Sequence, residues 1–229
     1  MNSLSVFLNQ MDWWGLLWFL LSLAASLLCF TIHELSHGFV AYCLGDSTAK
    51  SAGRLTLNPI RHIDIFGLMM MLVARVGWAK PVPVDLRNFK HPKQGMALTA
   101  LAGPASNLLL TLIALGIGSL LYRFGPDTLL MGYVLLFLCY IAVLSTGMGI
   151  FNLIPIPPLD GSRLLSQLLP DKVYITLLRY ERLVLGVVLA LAFFGAFSRP
   201  VSLCVGWILQ KVCALTRFPF GMLRYYFGV

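Results

Sequence analysis

Charge is scarce in this sequence. Only 11% of its 229 residues are Asp, Glu, Lys or Arg, against about 25% in soluble domains. That shortage excludes a water-facing globular surface for most of the chain. Acidic groups are the rarer kind, nine against seventeen basic ones, and histidine occurs four times. The five cysteines (Cys29, Cys43, Cys139, Cys204, Cys213) form no CxxC pair and mostly fall in apolar runs. They read as membrane-packed thiols, not as a disulfide framework or thiolate ligands. Lys and Arg are missing from Met1 to Asp12, so the basic start of a secretory signal is lacking and the first apolar run is expected to be retained. Aromatic-basic modules, repeats and low-complexity tracts are lacking too. The net charge of +8 therefore belongs to loops at a membrane surface, and nucleic acid is not an expected partner.

What the sequence has instead is apolar length. It is 59% hydrophobic, and several runs exceed eighteen residues, which points to helices rather than a β-barrel. The expectation is an all-α polytopic membrane protein, one domain over residues 1–229, with its core over about 13–165. Helical spans are expected at Trp13–Leu44, Met96–Tyr122 and Leu129–Leu153. Ser145, Gly147 and Gly149 in the last of these permit close helix approach. Between the first two lies a short membrane-associated β-hairpin region. Arg54–Leu57 alternates like a strand, and in Lys80–Val84 the prolines at 81 and 83 remove donors from one edge, as in an edge strand. Ile63–Trp78 is apolar but short, and is expected to dip into the membrane and return. Arg163–Arg182 reads as interfacial, and Leu183–Phe197 and Val201–Leu215 as about two further helices.

Loop charge gives an orientation. If Ile63–Trp78 does not cross, residues 45–96, 155–182 and 211–229 share one face and carry fifteen of the seventeen Lys and Arg. That face is then cytoplasmic.

The first span ends in His33-Glu34-Leu35-Ser36-His37. Residues four apart share a helix face, so His33 and His37 can aim two imidazoles at one metal ion, with Glu34 beside a water bound to it. The twenty residues from Trp13 to Ile32 carry no formal charge. Ionisable groups in such a span cost about 2.5–3.5 kcal/mol each at the bilayer centre, and their default reading is functional. The bland alternative is a pair of headgroup-level histidines with a snorkelling glutamate.

A catalytic zinc usually takes three protein ligands and keeps an open position. Among the remaining candidates, His62 and His91 fall in basic loops, Asp12 and Asp127 at the far face, Asp46 and Asp64 in turns. Asp85, Asp171 and Glu181 neighbour basic residues. Asp160 sits in a proline-broken extension (Pro155, Pro157, Pro158) of a span that descends to the histidine face. Non-helical backbone at that depth is tolerated where it is buried or lines a polar cavity. Against this stands an ordinary Asp-Gly turn at the interface.

These residues carry a resemblance. His33-Glu34-x-x-His37 in a first span, followed about 120 residues on by Asn152-x-x-Pro155-x-x-Pro158-Leu159-Asp160-Gly161, resembles the site-2 protease family of intramembrane zinc metalloproteases. Gly103-Pro104-x-x-Asn107 and Gly77–Val84 are also similar to its compact bacterial members, which lack PDZ and CBS insertions. Ser36 and Asp85-Leu86 depart from the usual pattern without removing a ligand. The resemblance implies Zn2+ held by His33, His37 and Asp160, Glu34 as general base, Asn152 near the substrate carbonyl as an oxyanion donor, and Asn107 shaping the site. It implies a membrane-protein substrate in the lipid bilayer of the cell membrane, and the loop charge places the site toward the cytoplasm. A membrane zinc transporter and an inactive metal-binding scaffold are the alternatives. A transporter would need polar residues continuing through the bilayer, and beyond Ser22, Ser26 and Thr111 the far halves of the spans offer almost none.

Overall fold

A computed structural model describes residues 12–74, 77–165, 167, 169–170 and 179–229. The N-terminal apolar run forms α1, Trp13–Cys43, whose first turn is capped by the Asp12 carboxylate accepting the Gly15 N–H at 2.9 Å. At 31 residues α1 is about 46 Å long, enough to cross a hydrocarbon core of about 30 Å with turns to spare. After a short helix α2 (Thr48–Ser51) and a 3-10 turn at Pro59–His62, α3 covers Ile65–Ala74. Two long helices follow, α4 (Pro92–Phe124) and α5 (Leu129–Asn152), joined by a tight turn. Then come α6 (Asp160–Leu165), α7 (Glu181–Phe193), α8 (Ser198–Thr216) and α9 (Phe220–Phe227).

Among the described residues three helices, α1, α4 and α5, are each long and apolar enough to cross a membrane. The protein is thus a multi-pass membrane protein built on a three-helix core, as the apolar runs anticipate. Small residues set the core's width: Ala25 and Cys29 of α1 and Ala114 of α4 are fully or almost fully buried together with Ile141 of α5. Bulky side chains such as Trp14, Phe19, Leu109 and Leu120 point outward, as lipid-facing positions should. Cys29, Cys139 and Cys213 are packed in the interior, and all five thiols are free. On α5, Gly149 lies where a β-carbon would approach the Pro104 carbonyl to 3.3 Å, and Ser145 Oγ donates to the Asn107 carbonyl at 2.9 Å. Both bring α5 close to α4. Leu183–Phe193 and Ser198–Thr216 meet at a 77° bend, a broken span or a re-entrant pair, and α8 seals the core with Val205, Leu209 and Cys213. The expected interfacial stretch Arg163–Arg182 falls largely outside the described residues.

The expected β-hairpin region does not form. Among the described residues there is no strand, only one antiparallel bridge, Ile63 to Ala79, beside a Lys80 N–H to His62 carbonyl bond of 2.9 Å. The alternation in Arg54–Leu57 and Lys80–Val84 fails to become a ladder because the ladder's groups are otherwise engaged. Pro81 and Pro83 have no N–H. The Lys80 and Pro81 carbonyls are taken by the buried Arg54 guanidinium, at 2.6 and 3.3 Å. The Val82 N–H goes to a side chain of α1. The segment is an extended strap tied down by side chains.

α3 has ten residues, about 15 Å, half a bilayer core. The chain leaves α1 and enters α4 at the same end of the bundle. Asp46, just past α1, accepts hydrogen bonds from the Asp85 N–H at 2.8 Å and from Asn88 Nδ2 at 2.7 Å, shortly before α4. Residues 44–91 thus return to the face they started from.

Candidate metal centre

His33 and His37 lie about two to three turns before the end of α1, so their rings sit roughly 9–15 Å below that helix end and are almost fully buried. The two Nε2 atoms are 3.1 Å apart. Asp160 reaches the same point from the other side of the core, its Oδ2 lying 3.2 Å from His33 Nε2 and 3.1 Å from His37 Nε2. The Pro-rich break after α5 delivers it. There Leu159 N–H bonds Ile156 O and Ile156 N–H bonds Ile154 O, so the loop satisfies its own donors, while Pro155, Pro157 and Pro158 contribute none that would need partners. Gly161 lets α6 fold back onto α5: a β-carbon there would lie 2.2 Å from the Leu153 carbonyl oxygen.

The donor set fits a cation. His37 Nδ1 is 2.7 Å from the Thr99 carbonyl, which only accepts, so this nitrogen carries the proton and a neutral ring turns the Nε2 lone pair inward. Apart from the two Nε2 atoms, the buried Asp160 Oδ2 has no hydrogen-bond partner among the described residues. Two imidazole nitrogens and a carboxylate oxygen thus converge in an apolar interior, and these three residues form a cluster able to hold a metal ion. Ligands of a tetrahedral zinc at about 2.0–2.1 Å lie about 3.3 Å from one another, close to the triangle seen here. Space for it is made by Gly103 of α4, where a β-carbon would stand 2.4 Å from His37 Nε2 and 2.5 Å from His33 Cε1.

Glu34 is partly buried next to this triangle, and its Oε2 accepts the Val82 N–H at 2.9 Å. No hydrogen bond to its Oε1 is found among the described residues. Asn107 is fully buried, with Nδ2 3.1 Å from His33 Nδ1. Asn152 is the exception among the expected residues: its Nδ2 bonds the Met148 carbonyl one turn back on α5, at 3.1 Å, and makes no hydrogen bond to the cluster among the described residues. Other acids and histidines weighed from the sequence have structural work. His62 Nε2 bonds the Thr56 carbonyl, and Asp64 caps α3 through the Gly67 N–H. Burial alone would raise the Asp46 carboxyl, but hydrogen bonds from Thr48, Asn88 and the Asp85 amide hold it below the usual carboxylate range. Thr99 and Val82 escape sequence reasoning because they act through backbone atoms that nearly all residue types share. Gly103 stands in the Gly-Pro motif, where its missing side chain is the signal. Above the cluster, Thr111 and Thr146 bond each other at 2.9 Å, and beyond them the interface closes with Ala25, Cys29, Ala114 and Ile141.

No solved structure matches the chain. The model of peptidase family M50 matches residues 123–195, the part that contains Asp160. A Bacillus subtilis protein, YwhC, whose name proposes a zinc metalloprotease, is 46% identical over 147 residues, spanning 63% of this chain and 67% of the relative. Rip2 of Mycobacterium tuberculosis, named in the same way, is 31% identical over 147 residues, 62% of this chain and 55% of its own length. A zinc metalloprotease of Methanocaldococcus jannaschii is 27% identical over 165 residues, 72% of this chain and 38% of its own. With the buried His-His-Asp triangle among membrane-spanning helices, these similarities establish that the chain belongs to peptidase family M50, the site-2 protease family of zinc metalloproteases.

Proposed function

We propose that this protein is an intramembrane endopeptidase that cuts peptide bonds within or near membrane-spanning segments of other proteins, from a site facing the cytoplasm. The convergence of His33, His37 and Asp160 on one point inside the helix bundle carries the reading. These three residues would hold the zinc. When bound there, it supplies positive charge that polarises the scissile carbonyl and makes water nucleophilic near neutral pH.

Glu34 is the general base. Three residues before His37 on one helix, its carboxylate faces the same region. The Val82 amide fixes Oε2 and leaves Oε1 to accept the proton of the attacking water and pass it to the leaving nitrogen. Asn152 is the proposed donor to the developing oxyanion: its Nδ2 carries two hydrogens, and one bond, to the Met148 carbonyl, is seen. A helical substrate still has to unwind before attack, because its carbonyls are hydrogen-bonded.

The test separates binding from chemistry. Glu34→Gln keeps volume and removes the basic oxygen, so zinc per chain should stay near wild type while cleavage of a reporter membrane helix falls by about 10²–10⁴-fold. Wild-type cleavage by Glu34→Gln, or loss of its zinc together with activity, would remove Glu34 from this role.

A further inference from the structure

Asn107 packs against His33 in a way the reaction just described does not use. Its side chain is fully buried between α1, α4 and α5, and its backbone carbonyl is held by Ser145 Oγ at 2.9 Å and Thr111 Oγ1 at 3.0 Å. Gly149 of α5 closes on its β-carbon, leaving room for no more than 3.4 Å between that atom and an added β-carbon. The residue cannot move away. Its amide can only rotate, and the two ends of an amide have nearly the same shape.

As it stands, Nδ2 faces His33 Nδ1 at 3.1 Å, while Oδ1 is buried with no hydrogen-bond partner among the described residues. An amide nitrogen only donates, so this orientation suits the tautomer with its proton on Nε2, next to Asp160 Oδ2 at 3.2 Å. A histidine that gives Nε2 to a metal carries its proton on Nδ1 instead and needs an acceptor there. His37 has one in the Thr99 carbonyl. Among the described residues His33 has only Asn107 in that position.

We propose that Asn107 is the positioning residue for His33, turning its amide over so that Oδ1 accepts the His33 Nδ1–H and holds Nε2 toward His37 and Asp160 when the metal is bound. Asparagine serves both tautomers, donating to the metal-free ring and accepting from the loaded one. The rotation also brings the otherwise unpartnered Oδ1 onto a donor. The inference rests on reading His33 as a zinc ligand.

The experiment measures zinc affinity of the purified full chain in detergent by competition with a chelator, for wild type, His33→Ala, Asn107→Asp and Asn107→Leu. Loss of an outer partner typically costs about 10–100-fold in metal affinity. Asn107→Leu should show that loss, with Asn107→Ala in its place if the leucine variant does not fold. Asn107→Asp keeps an acceptor for Nδ1–H and should stay within a few-fold of wild type or bind more tightly. A merely steric role predicts equal losses for Asp and Leu, and that result would overturn the proposal, as would wild-type affinity in both the Leu and Ala variants. His33→Ala tests the underlying reading separately: if it binds zinc like wild type, His33 is not a ligand, whatever the Asn107 variants do.

Discussion

His33, His37, Asp160 and Gly103 act as one unit, because three donor atoms share a point that a fourth residue keeps open. Removing the Asp160 carboxylate leaves two nitrogens, fewer than a catalytic zinc usually holds, so Asp160→Ala should lower zinc per chain along with cleavage. Full zinc and full activity in that variant would move the third ligand elsewhere. Gly103→Ala makes a sharper demand. It adds one methyl to α4, where alanine is the better helix former by about 1 kcal/mol, yet places that methyl 2.4 Å from His37 Nε2. The fold should survive, with helicity by circular dichroism unchanged or slightly raised, while zinc content drops sharply. Wild-type zinc in Gly103→Ala would mean that the histidines have slack this packing does not show.

At the scale of elements, the strap before α4 is the piece most dependent on polar ties. It hangs on Arg54 through the Lys80 and Pro81 carbonyls, on Glu34 through Val82, and on Asp46 through Asp85 and Asn88. Asp46 is fully buried, and its loss would remove the hydrogen bonds from Thr48, Asn88 and the Asp85 amide. Its carboxyl titrates below the ordinary value in the folded chain. Stability from a depressed carboxyl is fully present above the unfolded value, about 3.9, and is lost as pH falls through the lower folded value. Proteolytic cutting between residues 80 and 91, followed from pH 7 downward, should therefore rise in wild type only below about pH 4. In Asp46→Ala the segment should be cut faster at every pH, without that acid-dependent step. Equal cutting of the two proteins at pH 7 would show that the strap is held by its other ties.

For the molecule as a whole, the site fixes the topology. His37 at the end of α1 bonds Thr99 near the start of α4, and Asp160 just after α5 meets both histidines. The end of α1, the start of α4 and the end of α5 must therefore open on one face. The proposal that this face is cytoplasmic rests on its share of the basic residues. In a background without cysteine, Ser51→Cys and Gln94→Cys should both resist an impermeant thiol reagent added outside cells. Labelling of either one would contradict the orientation, and labelling of Gln94→Cys alone would mean that residues 63–78 cross.

Much of this was legible in the chain because the bilayer imposes a demand that sequence states directly: a span must be about twenty residues long and almost free of charge. Trp13–Ile32 and the runs of α4 and α5 meet it, so their helices, and the oddity of His33, Glu34 and His37 at the end of one, follow from composition and spacing. The break that carries Asp160 is likewise written in its prolines. The strap at 80–84 was not legible, because a strand and a tied-down extended segment share the same alternation. They differ only in where each N–H and carbonyl finds its partner, here Glu34 and Arg54. Thr99 and Val82 were hidden for the same reason, since they act through backbone groups that nearly all residue types share. Sequence determined which side chains are too costly to bury without a purpose, because that cost belongs to each residue alone. Only the tertiary structure decided which of them meet, because a triangle of donors about 3 Å on a side is a property of three helix ends packed together.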